Sequence, residues 1–304
     1  MPPVKAGLLD AGWYTRRLEK GAFPGVLVLC YHGLRRSDRD DARIPFANLH
    51  VLAERFDAQC RMIAATCHPI DLRRFCGAQS GAATLPDRPV LITFDDGYRS
   101  VFEIARPILL RHKLPAAVFV CSDPVRRQQL FWFDAVARAH GEEAVAAACV
   151  LPDEGWRRIA DASAAPAAAD DPLAPMTVEQ VRELAAEGFT IGAHTASHAP
   201  LSAISAATQR EEMASCRAAL ESWTAQSVDT LAYPWGAPQI DYTSDTVAIA
   251  SALGFGSAFT TRPGFARPTE PVLERSRFVM LAAVSAAELA HRMTYAWPRQ
   301  DSAR

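Results

Sequence analysis

No stretch of this sequence comes near the roughly 18 consecutive apolar residues that a helical membrane span needs, so an integral membrane segment is excluded. The opening residues, MPPVKAGLLDAGWYTRRLEKG, also lack an apolar core behind a basic start. They do not read as a secretory leader, and the cytoplasm is the expected location. Concentrated positive charge is missing too: net charge is −2, and the longest basic stretches are pairs such as Arg35-Arg36 and Arg126-Arg127. A nucleic-acid footprint needs clustered Lys and Arg, so none is expected, whereas a neutral sugar partner is compatible with this surface. Paired cysteines are absent as well. Cys30, Cys60, Cys67, Cys76, Cys121, Cys149 and Cys216 are odd in number, scattered and free of any CxxC spacing. That excludes a disulfide framework or a Cys-rich zinc site and leaves buried, reduced thiols. No internal repeat is present, and the oligomeric state stays open.

What is present is an ordinary globular composition. The 304 residues are 49% apolar and 22% charged, enough for a sizeable core, and one large domain is the better reading. Short β-type runs at Val26–Tyr31, Val90–Phe94, Ala117–Cys121 and Phe189–Ala193 are joined by weaker ones at Thr230–Tyr233, Gly256–Thr260 and Arg277–Leu281. Helical patterns lie between them at Asn48–Thr66, Val101–His112, Val178–Glu187, Ala206–Thr224 and Ser244–Leu253. Thr177 with Gln180 predicts a capping box, and Gly188 a C-terminal stop. Such alternation implies parallel β/α units, in an open doubly wound sheet or a barrel. Residues 122–175 break the rhythm and read as an insertion over the mouth of the fold, either a lid or a decorative excursion.

Two motifs carry chemistry. Thr93-Phe94-Asp95-Asp96-Gly97 ends a predicted strand, where polar residues of parallel β/α folds face the functional rim. Adjacent carboxylates point differently, so one can bind a metal while the other handles a proton. His194-Thr195-Ala196-Ser197-His198 follows another strand, and histidines four apart can converge on a metal. Alone, that spacing is weak. The zinc-protease pattern places a Glu after the first His, whereas Thr195 stands here, so a base must come from elsewhere. Asp95-Asp96 offers both a carboxylate ligand and a base. Two imidazoles, a carboxylate and an open position for water make a hydrolytic metal site.

These two motifs resemble the first two of the polysaccharide deacetylase family (NodB-homology, carbohydrate esterase family 4), intact and in the usual order. The resemblance runs from about Val26 to Met280. It implies a distorted (β/α)7 barrel, a divalent metal, zinc by preference, and removal of N-acetyl groups from an N-acetylated sugar or glycan. On it the chain divides into an N-terminal extension (1–25), the barrel domain (26–295, with the insertion at about 122–175) and a C-terminal tail (296–304). It implies Asp95 as general base and Asp96, His194 and His198 as metal ligands. In Leu231-Ala232-Tyr233-Pro234-Trp235-Gly236, Ala232 stands where the family's third motif has the Arg that pairs with the base. Tyr233, Pro234 and Trp235 are then the substrate and oxyanion segment, and Arg275 or Arg277 the substitute for the missing Arg. The family's late catalytic histidine is also missing. After His198 only His291 remains, in a helical stretch that reads as surface. Tyr31-His32-Gly33 resembles instead the Tyr-His motif of poly-N-acetylglucosamine deacetylases, which implies His32 as general acid. Two alternatives stay open: an amidase of the same fold acting on a non-sugar amide, and a metal-free sugar-binding relative.

Overall fold

The structure is a computed structural model, and it describes residues 2–37 and 44–297. Seven strands form one curled parallel sheet: β1 (Leu27–Tyr31), β2 (Pro89–Phe94), β3 (Ala116–Val120), β4 (Thr190–Ala193), β5 (Thr230–Ala232), β6 (Ser257–Phe259) and β7 (Phe278–Val279), in the order β7-β1-β2-β3-β4-β5-β6. The short segment His68–Pro69 adds to the start of β2. Strands β1, β2 and β3 are buried along their whole length, as a sheet covered on both faces requires. The ring is completed by the segment before β7. Arg275 bridges Phe259 in parallel, its N–H donating to Ala258 O (2.8 Å) and its carbonyl accepting from Thr260 N (2.9 Å). Only then does the chain cross to β1, where Leu29 pairs with Phe278. The fold is thus a distorted seven-stranded β/α barrel.

Side-chain alternation divides the core in two. Val28, Leu91, Ala117, Phe119, Ala232 and Phe259 form the inner cluster, with Ile70, Leu72 and Phe75 packed against it. The alternate residues, such as Leu27, Leu29, Ile92, Val118 and Ile191, face the helices. Gly192 is required inside, because a Cβ there would lie 2.4 Å from the Phe119 ring. By the same two-residue period Cys30 and His32, Thr93 and Asp95, and Gly192 and His194 continue the inward rows to the C-terminal rim.

The capping box forms, with Gln180 N donating to Thr177 Oγ1 and Thr177 N to Gln180 Oε1, and Gly188 follows at φ +93°. The helix expected over 48–66 begins only at Ala53. Ahead of it Val51–Leu52 pairs with Leu34–Arg35, because Val51 N donates to Gly33 O (3.1 Å) and draws this segment out as a strand. The insertion holds four helices, Ser122–Arg127, Trp132–His140, Glu142–Ala148 and Asp153–Ala162. At the N-terminus the helix Pro2–Asp10 lies against Ala286–His291, and the helix Trp13–Leu18 against the segment that follows it, Arg292–Ala296. His291, read as a surface residue, is instead half-buried, with Nδ1 3.2 Å from Tyr14 Oη. Of the expected tail, Trp297 is buried and stacked on Phe278 at 4.0 Å, and residues 298–304 lie outside the described residues. All seven cysteines are free. No described helix is long and apolar enough to cross a membrane.

Candidate active site

Every strand-end motif opens onto the same rim. Asp95 and Asp96 follow β2, and His194 to His198 follow β4. The Asp96 carboxylate, His194 and His198 are all buried, and one ligand atom from each lies within 4.8 Å of the others. His194 Nε2 and His198 Nε2 stand 3.3 Å and 3.4 Å from the same atom, Asp96 Oδ1. The other nitrogen of His194, Nδ1, donates to Ala232 O at 2.8 Å. That bond puts a proton on Nδ1 and leaves Nε2 as the ring atom facing the carboxylate; burial lowers the His194 pKa, but the Asp96 and Asp95 carboxylates outweigh it and hold it raised. Burial pushes His198 down to about 3, so it is neutral. Three potential ligand atoms converge, and Asp96 Oδ1 has no hydrogen-bond partner. A cation between them would engage all three, and the Nδ1–carbonyl bond is the support that metal-bound imidazoles ordinarily have. The residues fit a divalent metal.

Asp95 is turned the other way. Arg277 grips it with Nη1 to Oδ1 and Nη2 to Oδ2, both at 2.7 Å, while Cys30 Sγ donates to Oδ2 at 3.4 Å. Arg277 is held in turn by Thr260 O (2.9 Å) and lies between the Phe119 and Phe259 rings, each 5.8 Å away. Burial alone would raise the Asp95 pKa; the Arg277 charge, with His194 and His32, overrides it and holds the carboxyl well below the usual range. Arg275, the other candidate, does not approach Asp95. Its guanidinium donates to Arg267 O (2.5 Å) and Glu270 O (2.9 Å) on the far side of the strand bend. His32, after β1, brings a ring nitrogen within 4.8 Å of Cys30 Sγ and an Asp95 oxygen. That second cluster is a poorer metal site, because Asp95 already carries a guanidinium on both oxygens.

The third motif contributes less than its three residues promised. Tyr233 is fully buried, stacks on Tyr242 at 4.1 Å, and donates its N–H to Phe259 O, so it does not face the rim. Pro234 has no N–H. Trp235 remains, with its ring 4.3 Å from that of His198 and 5.9 Å from that of Trp132. Trp132 and Phe133 come from the insertion, and Trp132 Nε1 donates to His198 O (3.1 Å), so this excursion supplies a wall of the site.

Backbone strain gathers here. Asp96 (φ +73°), Thr195 (+64°), His198 (+62°) and Trp235 (+54°) make four of the nine non-glycine residues with positive φ among the described residues. Each left-handed position costs roughly 1 kcal/mol or more, so surrounding contacts must hold these loops open for a purpose. His50 had no signal in sequence. It is buried against Gly33, where a Cβ would sit 2.1 Å from its Nδ1, and its charge would be felt by both His32 and Asp96.

A strained, buried His-His-Asp group that could hold a metal ion thus lies beside a clamped carboxylate on the C-terminal rim of a parallel barrel. The chain belongs to the polysaccharide deacetylase family, whose model matches residues 82–258. Among curated proteins it is similar to YxkH of Bacillus subtilis, 23% identical over 180 residues, which are 59% of this chain. The match spans 47% of that relative, about half its length. Among solved structures it is similar to the Streptococcus pyogenes deacetylase PplD in complex with acetate (TM-score 0.66, 22% identity, 88% of this chain and 98% of that one). IcaB from Ammonifex degensii is similar at TM-score 0.64 and 22% identity, over 90% of this chain and 98% of that one. At these identities the likeness shows the fold.

Proposed function

We propose that this protein is a metal-dependent deacetylase that hydrolyses the N-acetyl group of an N-acetylated sugar, glycan or polysaccharide precursor and releases acetate. The observation that carries this reading is the convergence of Asp96, His194 and His198 beside an Asp95 that Arg277 keeps ionised. Family membership supports the reaction class, and the acetate held by PplD supports the product class.

Asp96, His194 and His198 would hold the cation, zinc by preference for this donor set, which supplies Lewis-acid activation of the amide carbonyl and a water acidic enough for a weak carboxylate base. Asp95 would accept the proton of the attacking water as the water oxygen bonds to the carbonyl carbon. Arg277 keeps Asp95 anionic and fixes its plane. The Trp235 N–H is the available backbone donor for the developing oxyanion, since Tyr233 N–H is already engaged. His32 gives its proton to the nitrogen as the C–N bond breaks, because an amine anion is a very poor leaving group. Trp235, Trp132 and Phe133 present apolar walls suited to sugar faces.

The test is acetate release from N-acetylglucosamine oligomers, with and without chelator, beside small cyclic and linear amides. Chelator-sensitive release from the oligomers is expected. Release only from the small amides would replace this reading with the amidase one, and release indifferent to chelator would remove the metal.

A further inference from the structure

The two proposed histidine ligands sit at either end of a five-residue loop that contains two left-handed residues, Thr195 and His198. Something must hold such a loop in shape. Within it, His198 N donates to Thr195 Oγ1 at 3.1 Å. Three further fastenings, in the middle of the loop, end on one residue outside both motifs, Glu212, on the helix Ala206–Thr224. Ser197 N donates to Glu212 Oε2 (2.9 Å), Ser197 Oγ to Glu212 Oε1 (2.8 Å), and Ala196 N to the Glu212 carbonyl (2.9 Å). Both carboxylate oxygens are therefore used, and both on the residue immediately before His198.

We propose that Glu212 is a positioning residue of the metal centre, holding the His194–His198 loop so that His198 Nε2 meets Asp96; this rests on the metal-site reading above. Glu212 touches no reacting group. It lies behind the loop, on the wall of a cavity of about 400 Å³ shared with Asp123, Trp156, Arg157 and Glu211. Arg157, whose charge acts on Glu212, pairs with Glu211 instead (3.2 Å). The carboxylate is thus committed to Ser197. A carboxylate accepts at both oxygens, from Ser197 N and Ser197 Oγ together, whereas an amide would keep the first bond and reverse the second, donating its N–H₂ to Ser197 Oγ without the charge.

Supporting contacts one step removed from a metal ordinarily contribute roughly 10–100-fold to its affinity. The experiment measures zinc and cobalt affinity of the purified protein by competition with a chromophoric chelator, and the melting temperature of the metal-free protein. Glu212→Ala is expected to weaken both metals by roughly 10–100-fold and to alter the cobalt visible spectrum. Glu212→Gln should fall between it and the parent, and saturating metal should restore most turnover. Ser197→Ala, which leaves the core carboxylate in place, should weaken binding by a smaller factor, and the double variant should lose less than the product of the two single losses. This second variant carries the test if Glu212→Ala does not fold. Parental affinity in a folded Glu212→Ala, or in Ser197→Ala should that be the variant that folds, would overturn the proposal, even with a lowered melting temperature. A parent protein that binds neither metal would instead overturn the metal-site reading, and Glu212's role with it.

Discussion

Arg277 is the residue whose removal discriminates most sharply. Its guanidinium is fully buried and makes two 2.7 Å bonds to a buried carboxylate, and among the described residues no other Arg or Lys pairs with Asp95. Arg277→Met fills much of the same volume without the charge. Breaking a buried pair by removing one partner costs about 3–5 kcal/mol, because the remaining charge is left unpaired. The sign with pH follows from the direction of the Asp95 shift. With Arg277 present, its folded pKa is depressed, so it contributes stability above the unfolded value, near 4, which is lost as pH falls. In Arg277→Met the largest cause of the depression is gone, and burial, opposed only by His194 and His32, raises the Asp95 pKa. Asp95 then no longer adds the stability it gave the parent as pH rises. The stability gap between parent and variant must widen from acid to neutral pH. Denaturant midpoints measured at about pH 4 and 7, chosen to bracket carboxylate titration, test this, and Asp95→Asn placed on top of Arg277→Met should recover part of the loss. The acid limb of kcat/KM should also move to higher pH. A gap that is constant across pH would refute the reasoning, and so would an acid limb that stays in place.

Asp95→Asn alone should keep its metal, measured by elemental analysis, while turnover falls by roughly a hundredfold or more, the scale of acid–base contributions; loss of metal would mean the two aspartates had exchanged roles. His32→Ala should lose a similar factor, about a hundredfold, on amides but less on an activated ester, whose leaving group needs little protonation; equal losses would end the acid assignment. Asp134 is buried with Oδ2 2.7 Å from Tyr98 Oη, and burial pushes its pKa well up. Its folded form therefore keeps a proton that the unfolded chain releases, and Asp134→Asn should gain stability relative to the parent as pH rises above about 4. A melting-temperature difference that does not vary with pH would remove that assignment.

The sequence by itself determined what depends on local period and chemistry. Buried runs joined by amphipathic helices specified parallel β/α units. The capping box at Thr177 followed from hydroxyl and amide placement, and Asp95-Asp96 and His194/His198 were legible because their strands end just before them. Tertiary structure alone decided which distant groups meet. Arg275 and Arg277 share a parity and could not be told apart in sequence; the chain leaves β6 for β1 between them, so one guanidinium turns to the Glu270 loop and the other enters the barrel. His50 and Trp132 reach the site, and Glu212 reaches the loop behind it, from elements that carry no motif, while Tyr233, inside one, turns into the core. The reason is geometric. A barrel brings residues as far apart as Asp95 and Arg277, 182 positions in sequence, to hydrogen-bond distance only when its last strand closes on its first.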